Sequence, residues 1–110
     1  MEKIIKIGDK DVRMRVTARV PFEFRQMFGK DIITEMQKFG TGDGAGNFET
    51  FEQLAWLLAG KPGYPEKTAQ EAIGDWLEGF DGMFDIIDAL PEITSFWAAG
   101  SSTQSTARKK

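Results

Sequence analysis

The 110-residue chain carries no cysteine and no histidine, and its net charge is −3. Without those two residue types there is no disulfide framework, no thiolate metal site, and neither the commonest general base nor the commonest metal ligand. An apolar content of 41%, with nine Phe, three Trp and one Tyr, argues for one domain with a packed core.

The charge is segregated. Residues 1–38 hold nine Lys/Arg against six Asp/Glu, residues 39–107 hold two against eleven, and Arg108, Lys109 and Lys110 close the chain. A long acidic stretch argues against nucleic acid as a partner, because phosphate binding needs a clustered basic field. The split instead offers a means of steering one copy against another, or one half of the fold against the other, so self-association is one expectation. The longest apolar runs are only a few residues, such as Leu54–Ala59, which predicts no membrane span, and the alternating start Met-Glu-Lys-Ile-Ile-Lys-Ile does not read as a signal peptide. A cytoplasmic protein is expected.

In chain order, residues 1–17 predict a β-hairpin. Ile5 and Ile7 share one face with Ile4 on the other, Gly8-Asp-Lys-Asp11 supplies the turn, and Val12, Met14 and Val16 alternate with Arg13, Arg15 and Thr17. Two strands alone are marginal, so their apolar face must lie on the helices that follow. Residues 21–39 predict helix, with Pro21 as its first residue, Gly29 as a stop or kink, Asp31 as an N-cap, and Ile32, Ile33, Met36 and Phe39 on one stripe.

Residues 40–47 predict a Gly-rich loop, since Gly40, Gly42, Gly44 and Gly46 fall within seven residues. A dinucleotide fingerprint fails there because Ala45 or Asn47 occupies the third glycine position, and an EF-hand starting at Asp43 fails at Ala45 and Phe48. Gly60-Lys-Pro62 fails as the end of a P-loop, with Ala55 at its first position and proline after the lysine.

Residues 48–99 predict further helices. Phe51, Leu54, Ala55 and Leu58, widened by Trp56 and Leu57, mark a central one. Pro65 and Glu66 predict the start of the next, which runs to about Glu78 with Ala69, Ala72, Ile73, Trp76 and Leu77 inward. Gly79–Gly82 predicts a break, Asp81 an N-cap for a helix from Met83, and Leu90-Pro91 the junction with a last helix. Residues 101–110 lack apolar periodicity and predict a disordered, basic-ended tail. The expected fold is mostly α, of the α+β kind: an N-terminal β-hairpin packed on a bundle of about five helices, residues 1–100 forming a single globular domain.

Two clusters are candidates for chemistry or binding. Asp81, Asp85 and Asp88 share a helix face and invite a hard-cation or acid-base reading, but no partner base or cradle accompanies them, so a solvated face is expected. No catalytic, cofactor or metal site is expected, and no enzyme activity. Trp76, Phe80, Met83, Phe84, Ile87, Leu90, Ile93, Phe96 and Trp97 follow the three-four spacing of a buried stripe. The chain holds more large rings than a core this size needs, so Trp76, Phe80, Phe84, Phe96 and Trp97 are the expected partner-binding residues.

The order of motifs resembles one family. A basic hairpin, Arg25-Gln-Met-Phe-Gly-Lys-Asp-Ile32, Phe51-Glu-Gln-Leu-Ala-Trp-Leu-Leu-Ala59, Trp76-Leu-Glu-Gly-Phe80, Phe84-Asp-Ile-Ile-Asp-Ala-Leu-Pro-Glu-Ile93, Phe96-Trp97 and a Ser/Thr tail ending in lysines together resemble the tail assembly chaperones of long-tailed bacteriophages and prophages. The resemblance covers nearly the whole chain. It implies a non-enzymatic protein of the host bacterial cytoplasm that binds the tape measure protein, helps recruit the tail tube protein, and is absent from the mature virion. It also implies a longer form made by programmed frameshifting, with which Lys109-Lys110 is compatible. The alternative expectation is a small structural tail or head-tail connector component.

Overall fold

The opening alternation folds as a two-stranded antiparallel sheet of β1 (Glu2–Ile7) and β2 (Lys10–Arg15), in the register Ile5↔Val12 and Ile7↔Lys10. Its two-residue turn starts at Gly8 with φ 64°, a left-handed conformation that glycine adopts without a Cβ penalty. Ile5, Ile7 and Met14 are buried on the inner face and Ile4 is exposed on the outer one. Burying each of the three contributes roughly 1.5–3 kcal/mol.

This computed structural model describes the backbone of residues 1–41 and 48–108, and side chains over residues 1–37 and 48–100. Among the described residues six helices follow the hairpin: α1 (Arg19–Phe28), α2 (Ile32–Thr41), α3 (Phe48–Leu58), α4 (Ala69–Glu78), α5 (Asp85–Asp88) and α6 (Leu90–Arg108). The architecture is therefore mostly helical with an N-terminal hairpin, as the sequence predicts.

Local chemistry sets most boundaries. α1 begins two residues before Pro21, which still sits in the first turn where its missing N–H is not needed. Gly29, at φ 70°, ends α1 and donates its N–H to the Arg25 carbonyl at 2.8 Å. The Asp31 carboxylate accepts from the Ile33 N–H at 3.1 Å and from the Thr34 hydroxyl at 3.1 Å, which is the expected cap of α2. Helix α2 extends through Gly40 and Thr41, so the predicted loop begins later than residue 40; residues 42–47 and the Phe39 side chain lie outside the described residues.

Two expected boundaries are corrected. Helix α4 starts at Ala69, not Pro65, because Thr68 and Glu71 form a capping box. The Thr68 hydroxyl accepts from the Glu71 N–H at 3.2 Å while Glu71 reaches back to the Thr68 N–H at 3.3 Å, satisfying two donors that Pro65 leaves open. The helix predicted from Met83 with an Asp81 cap is a single turn beginning at Asp85, whose carboxylate accepts from the Gly82 N–H at 2.9 Å. The backbone of α6 runs from Leu90 to Arg108. Lys109 and Lys110 lie outside the described residues.

Helix α3 is the hub. Thr50, Phe51, Leu54, Ala55, Trp56, Leu57 and Leu58 are all buried, and the helix lies against α1, α2, α4 and β2. The buried Thr50 hydroxyl accepts a hydrogen bond from Lys30 Nζ at 3.0 Å. β1 rests on α5 and α6, with Lys3 and Glu92 paired at 3.4 Å across the seam. Gly100 of α6 comes so close to Val16 that a Cβ there would lie 2.6 Å from Val16 Cγ1. Among the described residues, no helix is long and apolar enough to cross a membrane.

Candidate partner-binding groove

The five aromatic residues expected to bind a partner do not form one face. Phe96 is 3% and Trp97 8% exposed, because Ile93, Phe96, Trp97 and Gly100 fall at i, i+3, i+4 and i+7 and make up the buried side of α6. Those two belong to the core, which corrects their assignment to a binding surface. Trp76 and Phe80 are half-buried and stack edge-to-face at 5.2 Å and 83°, the arrangement their ring quadrupoles favour. Phe84 is 60% exposed and its neighbour Met83 83% exposed, so the predicted stripe breaks at the start of α5. Gly79 and Gly82 turn the chain there, and a one-turn helix is too short to bring both residues back to the core.

The Asp81–Asp85–Asp88 set is also not assembled. Asp81 and Asp88 are exposed, while Asp85 folds back onto Gly82 and packs against the hairpin turn, where a Cβ at Gly8 would collide with its carboxylate. A hollow of about 310 Å³ beside it is lined by Lys6, Asp88 and Glu92, but among the described residues no group of three potential metal ligands is placed to hold an ion.

A larger groove, about 560 Å³, opens between the end of α1, one side of α3 and the start of α4. Met27 and Phe28 come from the last turn of α1, and Ala69, Ile73 and Gly74 from α4. Glu49, Glu52 and Gln53, at i, i+3 and i+4, form the α3 wall, and Gln70 borders the α4 side. Phe28 is anchored from behind by Phe24 at 4.8 Å and Trp56 at 6.3 Å. Trp56 is held in turn by Tyr64 at 6.1 Å and by its Nε1–H donating to the Pro62 carbonyl at 3.0 Å. The ring ladder makes one end of the groove rigid.

The α3 wall carries the unusual electrostatics. Burial pushes the Glu52 carboxyl above its ordinary value, and the neighbouring Glu49 charge pushes it in the same direction. Gln53 Oε1 is buried with no hydrogen-bond partner among the described residues. The sequence places Ala69 and Ile73 on an inward face but gives no role to Glu49, Glu52 or Gln53. The one signal available is that α4 turns small residues, Ala69 and Gly74, toward this side of α3, which leaves room for a groove.

A scan against protein-family models, a search of curated proteins and a search of solved structures each return no match.

Proposed function

We propose that the protein is a phage tail assembly chaperone that holds apolar helical segments of the tape measure protein in the α1–α3–α4 groove. The observation that carries this reading is the groove itself: an apolar floor of Met27, Phe28, Ala69 and Ile73, open to solvent and backed by a rigid aromatic ladder. A helix laid in such a trough buries its apolar stripe, which is helix-in-groove recognition. The ordered motifs from Arg25 to Trp97 add the family resemblance. Capture has to be reversible, since the chaperone leaves as the tail is completed. A partly apolar groove with polar borders suits that better than a large dry interface.

On this reading the protein works in the host cytoplasm, catalyses nothing, and delivers the tape measure protein to the tail tube protein. Co-expression with a tape measure segment tests it. The wild-type chain should keep an otherwise insoluble segment in solution as a complex of defined mass by light scattering, and Ile73→Asp should lose that ability while remaining folded. A segment that stays insoluble, with this protein present in fixed copy number in finished particles, would instead favour a structural component.

A further inference from the structure

The groove has an apolar floor but a wall that apolar contacts cannot satisfy. Glu49 and Glu52 both face it, and among the described residues no Lys or Arg pairs with either. Gln53 adds a buried carbonyl oxygen without a donor. A purely apolar helix seated here would strip water from two carboxylates and return no donor to either. The bare groove already shows part of that cost, since burial and Glu49 both disfavour the charged form of Glu52. What the wall lacks is a multivalent donor with an apolar stem, and lysine and arginine side chains supply both.

We infer that the occupant is an amphipathic helix whose apolar stripe is bordered by Lys or Arg, with one cation seated between Glu49 and Glu52. The helical nature of the occupant rests on the function proposed above; the cation requirement rests on the α3 wall. The net charge of the acidic stretch, two basic against eleven acidic residues over 39–107, draws such a helix in and makes its association salt-dependent. The wall also discriminates. A helix bordered by Glu meets like charge, and one bordered by Gln leaves both carboxylates unpaired.

Three synthetic peptides of about 18 residues, five helical turns, with the same Leu/Ala stripe and with Lys, Gln or Glu along its border, test this by titration calorimetry with the full-length protein. The Lys peptide is expected to bind about tenfold tighter than the Gln peptide, and the Glu peptide weakest of the three. Glu52→Gln should remove most of the Lys advantage, in part by letting the Gln peptide bind more tightly than it binds the wild type, since one unpaired carboxylate is gone. Asp88→Asn, which alters the separate hollow beside Lys6, should change neither. Equal binding of the Lys and Gln peptides, or an equal loss in Asp88→Asn and Glu52→Gln, overturns the cation inference while leaving helix capture standing. If none of the three peptides binds the wild-type protein, the groove is not a helix site and both readings fall.

Discussion

Lys61 Nζ lies 3.0 Å from the Glu23 carboxylate, which joins the loop after α3 to the middle of α1 and so fixes the two elements that meet beside the groove. Arg19 approaches the same carboxylate at 3.0 Å from one turn earlier on α1. Burial alone would raise the Glu23 pKa, but hydrogen bonds and charge from Arg19 and Lys61 outweigh it, and the carboxyl is held below 4.5.

The sign of the pH dependence follows. A carboxyl held below its unfolded value contributes stability that is present above about pH 4.5 and is lost as pH falls through the lower folded value. Glu23→Gln should therefore cost about 1 kcal/mol at neutral pH, the scale of a partly screened ion pair with charged hydrogen bonds. The difference from wild type should close in acid. Urea unfolding at a series of pH values measures it.

Glu52 should behave in the opposite sense. Its folded pKa is raised by burial and by Glu49, so its charge is a penalty that is absent below the unfolded value of 4.5 and fully present above the folded one. Glu52→Gln is expected to raise the thermal midpoint at neutral pH and to bring no gain in acid. A neutral-pH loss would mean that the Glu52 carboxylate has a cationic partner.

Trp56 is buried and donates to the Pro62 carbonyl while its ring bridges Phe28 and Tyr64. Trp56→Phe removes the donor and leaves a small void, and should cost about 2 kcal/mol in denaturant unfolding.

Gly100→Ala pits helix propensity against space. Alanine favours the helix by about 1 kcal/mol, but its Cβ would lie 2.6 Å from Val16 Cγ1 and 3.0 Å from Val16 Cβ, and a β-branched side chain cannot swing clear. Overpacking of this kind costs typically 1–3 kcal/mol and should win. The double variant Val16→Ala/Gly100→Ala should recover part of the loss, which a double-mutant cycle measures.

Much of the fold is legible in the sequence because its signals are local. The alternation of Ile5, Ile7, Val12 and Met14, the Asp31 cap and the Leu90-Pro91 junction each act within one or two turns of chain. The late start of α4 is written there as well, in the Thr68-x-x-Glu71 spacing, but Pro65 offers a competing start signal and only the backbone shows which prevails. Which aromatic side chains are exposed is less legible, for a different reason. Trp76 and Phe80 stand at i, i+4, as do Ile93 and Trp97, and which pair is covered depends on packing against elements distant in sequence. The groove is less legible still, since Met27, Glu52 and Ile73 belong to three helices far apart in sequence, and nothing local brings them together.

Because the chain has no cysteine, a single one can carry a label at a chosen site. The most direct test of the central claim is to place an environment-sensitive fluorophore at Gln70→Cys, on the groove border, and separately at Met83→Cys, on the exposed turn before α5, and titrate each with a tape measure segment. Occupation of the α1–α3–α4 groove predicts a blue-shifted, saturable change at position 70 and none at position 83. A change confined to position 83 would place the partner on the Met83–Phe84 turn and contradict the groove.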